Sequence, residues 1–316
     1  MRPDILVVGD VLLDITVKVK GLPIREGEHQ VSKILYKHGG GTCNFLIAAA
    51  RLGLRTSVID LLGDDDEGRL LASILTKEGV DTSGLMFDKG YSTIVTLVIA
   101  DSRGRHSFVG IERADAPLSP RQVDQVTFET PKVIYMEGYI LTLPSRVDAA
   151  LHFVRKWARS GVTFLFDPGP LFSSIPEGVL DEIMKKVDVL LLNLDEAKAM
   201  SGKSSAEMAS SSICQRGPSR VVVKLGAGGC YIFEKGRGLR VPGFKVKVED
   251  TSAAGDVFNA AFTYGLLHRA TFSHAALLAN AAAAIKVTEL GGGEEAASER
   301  QLKGFLKGRS VSMNLG

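Results

Sequence analysis

The chain has 316 residues, 45% of them hydrophobic and only 11 proline, which fits a well-packed globular protein with one large domain or one domain and a small appendage. Its 38 basic and 36 acidic residues are spread without a basic run, so nucleic acid is not an expected partner. Cys43, Cys214 and Cys230 show no metal-ligand spacing, and the six histidines form no cluster.

The start, MRPDILVVGD, reads as a strand and not as a signal peptide, because Asp4 and Asp10 bracket only five residues. With no targeting signal and no stretch long enough for a bilayer, the expected location is the cytoplasm, with the cysteines reduced. Residues 5–8 (ILVV) form an apolar run of the kind found in a buried parallel strand. Asp10 suits a turn. Asp14 sits inside an apolar run, LLDITVKV, where an unpaired carboxylate is expensive, so it is expected to hold ligand hydroxyls.

Residues 15–37 alternate as short strands around GLPIREGEH. HGGGTCNFLIAAARLG (38–53) then places Gly39 and Gly40, which permit close backbone approach, just before a helix from about Thr42 to Gly53. Asn44 falls in its first turn, facing whatever the glycines approach. TSVIDLLG is a strand, GDDDEG a solvated turn rather than a metal site, and RLLASILTKEGV a helix. Residues 91–113 read as a β-hairpin turning at Gly104. With residues 15–37 it would form a small sheet able to act as a lid.

From residue 120, strands KVIYMEG, VTFLFDPG, VDVLLLN, RVVVKLG and CYIFE alternate with helical segments, which implies a doubly wound, mainly parallel sheet flanked by helices. Their polar ends, Glu137, Asp167, Asn193 and Lys224, belong on the ligand edge of such a sheet. Residues 201–220, rich in Ser and Ala, read as a surface helix and loop. NLDE (193–196) suits either water-mediated Mg²⁺ binding by Asn193 and Glu196 or a helix capping box. KLGAGGC (224–230) carries Gly226 and Gly229 in a turn that a flat ligand could approach, or that is simply a β-turn. No GxxxxGKS occurs, which excludes a P-loop.

DTSAAGD (250–256) precedes an apolar helix, VFNAAFTYGLL. Small residues ahead of a helix leave backbone amides free at its positive end, a place for an anion. Asp256 in the first turn would repel that anion unless it removes a proton from a group attacking it. The spacing therefore suits phosphoryl transfer, with Asp256 as base and amides 253–256 as anion hole. The alternative is that Asp256 only complements the helix dipole.

Taken in this order, the elements resemble the ribokinase-like (PfkB) carbohydrate kinase family over roughly residues 4–308. DTSAAGD is similar to the family's DTTGAGD, GGGTCNFLIAAARLG with GDDDEG to its N-terminal signature, and NLDE to NxxE. ANAAAAIKVTELGGG (279–293) resembles the helix that closes over adenine, and SRGRHSFVGIERADA the second half of the β-lid.

The resemblance implies a single ribokinase-like α/β domain with lid insertions at about 15–37 and 91–113. It implies an ATP-dependent kinase acting on a hydroxymethyl group of a sugar or, alternatively, a nucleoside. A non-catalytic sugar or nucleotide sensor on the same fold is the competing class. Asp256 would be the base, and Ala253, Ala254 and Gly255 the anion hole. Asp14, Gly39, Gly40 and Asn44 would hold the acceptor. Asn193, Lys224, Gly226, Gly229 and Asn280 would lie along the nucleotide. Glu196 would order Mg²⁺ through water. Asp250, Ser252 and carbonyls near 285–293 would bind a monovalent cation such as K⁺. The lid's sheet edges suggest a homodimer.

Two departures stand out. Ala253 replaces the first glycine of GAGD, and ordinary helical geometry is expected there because 253–256 should begin the helix. Pro168-Gly169-Pro170 stands where sugar-acid kinases of the family carry Asn and Arg, which weakens a carboxylate-bearing acceptor unless Arg105 or Arg113 of the lid supplies the charge.

Overall fold

The computed structural model describes residues 2–30, 32, 34–101, 106–111 and 116–309. In chain order its strands are β1 (Ile5–Val8), β2 (Val11–Val19), β3 (Ile34–Gly41), β4 (Thr56–Gly63), β5 (Asp81–Asp88), β6 (Val95–Asp101), β7 (His106–Ile111), β8 (Val133–Glu137), β9 (Thr163–Asp167), β10 (Val189–Asn193), β11 (Arg220–Lys224), β12 (Cys230–Glu234) and β13 (Arg237–Val241). Nine of them make one sheet in the order β13-β12-β11-β10-β9-β8-β1-β4-β5. Strands β5, β4, β1, β8, β9, β10 and β11 run parallel, and β12 and β13 join antiparallel at one edge.

Side chains alternate across the sheet, so each buried strand feeds two cores. Ile5 and Val7 join the core formed with helices Thr42–Arg51, Asp66–Lys77, Ala254–Leu267, Phe272–Lys286 and Glu299–Lys307. Leu6 and Val8 join the opposite core, with Val147–Trp157, Glu177–Met184, Leu194–Ser201 and Ala206–Cys214. This is the expected doubly wound α/β sheet. Among the described residues no helix is long and apolar enough to cross a membrane.

A second sheet of four strands, β3-β2-β6-β7, stands apart from the first. β2 pairs antiparallel with β3 and parallel with β6, and β6 pairs antiparallel with β7. The expected hairpin is therefore present, although its turn at Gly104, with Arg105 and Arg113, lies outside the described residues. A buried ion pair ties the two sheets at the β1–β2 turn. Arg146, 1% exposed, donates to Asp60 Oδ1 at 2.7 Å, while Asp60 Oδ2 accepts from the Val11 amide at 2.9 Å. Further bonds from Arg146 to the carbonyls of Ala116 and Leu61 satisfy its guanidinium, which such a buried pair requires.

Two strands join those expected, and two expectations change. DTSGLMFD and RGLRV form the sheet's outer strands β5 and β13, where half-exposed faces carry no continuous apolar run. The helix Ala206–Cys214 is not purely superficial, since Ala206, Ala209, Ser210 and Ile213 are buried. The small residues let it pack close. The GDDDEG turn ends one residue into its acidic run: Asp65 caps the next helix by accepting from the Gly68 amide at 2.8 Å.

Candidate active site

The DTSAAGD stretch leads into the helix Ala254–Leu267. Contrary to expectation, Ala253 is not helical. It adopts φ 57°, ψ 4°, the left-handed region, and the helix starts one residue later. The reason lies in the turn before it. The Ala254 amide donates back to the Thr251 carbonyl at 3.3 Å, and reversing the chain there needs a positive φ that alanine adopts only at a cost of about 1–2 kcal/mol. The first helical bond in this turn runs from the Val257 amide to the Ala253 carbonyl at 2.9 Å. The amides of Ala253, Gly255 and Asp256 precede it at the positive end of the helix.

Asp256 lies in the first turn of this helix. Its Oδ2 accepts from Asn44 Nδ2 at 3.0 Å, and Asn44 Oδ1 accepts from the Gly293 amide at 2.7 Å. One side chain thus joins the first turn of Thr42–Arg51, the signature helix and the loop after Phe272–Lys286. Gly293 is required by this approach, because a Cβ there would lie 2.7 Å from Asn44 Cα. Burial pushes the Asp256 carboxyl up to about 6, with Lys224 pulling the other way.

Behind Asp256 the ends of the parallel strands form one buried network. Lys224 Nζ donates to Asp167 Oδ2 at 2.8 Å and lies 3.4 Å from Asn259 Oδ1. Asn259 Nδ2 donates to the same Asp167 oxygen at 2.7 Å and to the Tyr135 hydroxyl at 3.1 Å. Tyr135 in turn donates to Glu137 Oε1 at 2.9 Å. Burial, then Asp256 and Asp167, drive the Glu137 carboxyl well above its ordinary range. Lys224 behaves oppositely. Burial disfavours its charge, but Asp167 and Glu196 outweigh burial and keep it protonated. Lys224 is thus the cation paired with Asp167 at the strand ends.

Asp14, on β2, is buried and projects over Gly40 of the paired strand. A Cβ at Gly40 would come within 2.4 Å of the Asp14 carboxylate. Burial, then the charges of Asp256 and Asp10, push Asp14 up to about 7. Gly39 faces the other way, toward Cys43 and Leu71, so its lack of a side chain serves helix packing.

Asp250 and Ser252 meet the four-stranded sheet. Asp250 Oδ2 accepts from the Tyr36 hydroxyl at 3.0 Å and the Gly291 amide at 3.1 Å. Its Oδ1 accepts from the Ser252 amide at 2.9 Å and faces His106 Nε2 at 3.4 Å. The Ser252 hydroxyl lies 3.2 Å from the same nitrogen. Burial works against the Asp250 charge, but the bonds from His106, Ser252 and Gly291 overcome it and hold the carboxyl far below its usual range.

On the far side of the strand ends, Asn193 and Glu196 form a reciprocal capping box. The Glu196 amide donates to Asn193 Oδ1 at 2.9 Å, and the Asn193 amide donates to Glu196 Oε2 at 2.7 Å. Burial and then Asp167 push Glu196 up to about 7. Gly226 and Gly229 turn the chain between β11 and β12, at φ 56° and 86°. Asn280 is buried and spends its amide on the carbonyls of Val241 and Pro242, both at 3.1 Å, which pins the chain after β13.

Several participants escaped sequence reasoning. Asn259 was findable, being one helical turn beyond Asp256 on the same face. Tyr36 and His106 carried no such signal, because their value comes only from the second sheet folding onto Asp250. Tyr135 and Lys286 likewise carried no signal of their own.

Asp256 and Asn44 thus meet at the strand-end edge of a doubly wound sheet, in the first turn of the signature helix. Comparison with known proteins places the chain in a family. Residues 2–299 match the pfkB family carbohydrate kinases. The chain is 27% identical to a ribokinase of Haemophilus influenzae, covering 97% of this chain and 99% of that protein. It is 29% identical to fructokinase-2 of Solanum habrochaites, over 79% of this chain and 77% of that one. The crystal structure of a ribokinase from Thermotoga maritima superposes with a TM-score of 0.82 at 28% identity, covering 96% of this chain and 99% of that one. The chain belongs to the pfkB family of carbohydrate kinases. It is a phosphotransferase with a hydroxyl group as acceptor.

Proposed function

We propose that this protein transfers the γ-phosphate of ATP to a hydroxymethyl group of a sugar, with Asp256 as general base. The observation that carries the reading is the placement of one carboxylate, held by Asn44 at 3.0 Å, in the first turn below amides that precede the first helical bond. A base with an acidity near 6 is ionised at neutral pH yet still able to accept a proton. The amides of Ala253, Gly255 and Asp256 then face the charge that develops on the transferring group.

Asp14 and the Gly40 backbone hold acceptor hydroxyls. Near neutral pH Asp14 is part protonated, so it can donate or accept. The names of the relatives point to ribose-like and fructose-like sugars. We assign to Asn193 and Glu196 the ordering of Mg²⁺ on the nucleotide phosphates through water. The fit rests on charge: burial and then Asp167 raise Glu196 against the opposing pull of Lys224, so a further cation beside it is favoured. When bound, Mg²⁺ supplies charge neutralisation on phosphoryl oxygens. Lys224 keeps Asp167 paired and Asp256 ionised.

The four-stranded sheet serves as lid, and its outer strands carry exposed apolar residues: Ile34 and Leu35 on β3, Phe108 and Val109 on β7. We assign these to a homodimer through the lid. The test of the whole reading is coupled ADP release over a panel of pentoses, hexoses and nucleosides. Turnover confined to sugars supports it. Turnover confined to nucleosides, or none with any acceptor, overturns it.

A further inference from the structure

Lys286 ends the helix Phe272–Lys286 and is 0% exposed. A lysine at a helix C-terminus ordinarily keeps its head in water. Here, among the described residues, its ammonium has one hydrogen-bond partner, the Glu289 carbonyl at 3.2 Å, and no carboxylate within ion-pair distance. Burial drives Lys286 toward the neutral form, while Asp250, Glu295, Glu289 and Asp256 act to keep it charged.

The turn that supplies this carbonyl is bonded to the signature stretch at three points. The amides of Glu249 and Asp250 donate to the Val287 carbonyl at 2.8 and 3.3 Å, and the Gly291 amide donates to Asp250 Oδ2 at 3.1 Å. Residues 286–291 thus wrap Asp250, three residues before the strained Ala253. Helix-end carbonyls and a carboxylate together make a negative shell, and Lys286 brings a positive charge into it.

This is the shell in which the sequence resemblance places a monovalent metal ion, and the residues present do not fit one. Both Asp250 oxygens already accept hydrogen bonds, from Tyr36 and Gly291 on one and Ser252 on the other. The Glu289 carbonyl is taken by Lys286. A metal cation would also meet the repulsion of a buried ammonium beside it, in surroundings that screen charge poorly. We propose that the Lys286 ammonium is a built-in substitute for that cation, holding the 286–291 turn on Asp250 and making the enzyme independent of K⁺. Lys286 is a positioning residue: it acts through Asp250 on the amides ahead of Asp256.

The activity arm of the test rests on the kinase reading above; the stability arm does not. Wild type and Lys286→Ala are compared in KCl and in tetramethylammonium chloride, whose cation is too large for a carbonyl shell. Wild-type turnover and melting temperature are expected to be the same in both salts. In tetramethylammonium, Lys286→Ala is expected to lose about tenfold in turnover, equivalent to about 1.4 kcal/mol, and to melt lower. KCl should restore both by filling the vacated space. Should Lys286→Ala fail to fold in both salts, Lys286→Gln takes its place. A wild type activated tenfold by K⁺, or a variant whose melting temperature K⁺ does not raise, overturns the proposal. If no acceptor is phosphorylated, the melting temperatures alone decide it.

Discussion

Asn44 and Asp256 stand 212 residues apart in sequence, yet their side chains meet at 3.0 Å. The amide donates to one carboxylate oxygen and leaves the other to receive a proton. Asp256→Asn keeps the shape and the bond network but removes the base. Turnover is expected to fall by about 10²–10⁴-fold, with nucleotide affinity nearly unchanged. Steady-state kinetics with titration of nucleotide binding check it. A variant that turns over at the wild-type rate would exclude Asp256 as base.

The same burial that tunes Asp256 sets opposite pH trends for activity and stability. Asp256 at about 6, and Asp14 and Glu196 at about 7, all lie above their ordinary values of 3.8 and 4.5. The folded chain therefore binds more protons than the unfolded chain between about pH 4 and 7. The stabilisation from these groups is complete below about pH 4 and is lost as pH rises through 6 to 7. Asp250 and Asp4 run the other way, being stabilising above the unfolded carboxylate value and losing that as pH falls. The ligand-free protein is expected to melt higher near pH 5 than near pH 8, while kcat/KM rises through about pH 6 as Asp256 ionises. Asp14→Asn should flatten the alkaline fall in melting temperature and raise KM for the acceptor far more than for ATP. Equal changes in both KM values would remove Asp14 from the acceptor site.

Lys224 and Asp167 make the charge-neutralising pair below the signature helix. Replacing only the lysine, as Lys224→Met, leaves a buried carboxylate unpaired. A loss of about 3–5 kcal/mol is expected by denaturant unfolding. Lys224→Met with Asp167→Leu should recover part of it, since an apolar pair leaves no orphaned charge. Loss of Lys224 also removes the charge that lowers Asp256, so the acid limb of the kcat/KM profile should move to higher pH. An unmoved limb would show that Lys224 does not reach the base.

The strand runs were legible because a parallel sheet buries both faces, leaving uninterrupted segments such as VLLLN and RVVVK with polar residues at one end. That alternation carried the fold, and Gly39–Asn44 and DTSAAGD held two of the side chains, Asn44 and Asp256, that the fold brings together. Edge strands β5 and β13 were not legible, because half-exposed strands have no such run. The partners of each site residue were not legible either. The contact of Lys224 with Asp167 on β9 is one that only the sheet order reveals. The bonds of Asn280 to the Val241 and Pro242 carbonyls are likewise set by how distant elements meet. Contacts made by the second sheet, Tyr36 and His106 on Asp250, depend on how the two sheets meet, and local pattern does not encode that.

Ala253 is the sharpest case. The sequence showed a substituted position, and local propensity argued for helix, whereas the turn demands φ 57°. A non-glycine residue held there is strained by about 1–2 kcal/mol. Ala253→Gly removes that strain but gains freedom in the unfolded chain, which offsets part of the benefit. A net stabilisation of about 0.5–1 kcal/mol is expected, read as a higher melting temperature, with turnover retained because the glycine amide can occupy the same place. Ala253→Val places a branched side chain in the left-handed region, so it should destabilise by more than the glycine gains and displace the amides that face the phosphoryl group. Turnover should fall with it. If glycine destabilises and valine is neutral, the left-handed geometry of residue 253 is wrong.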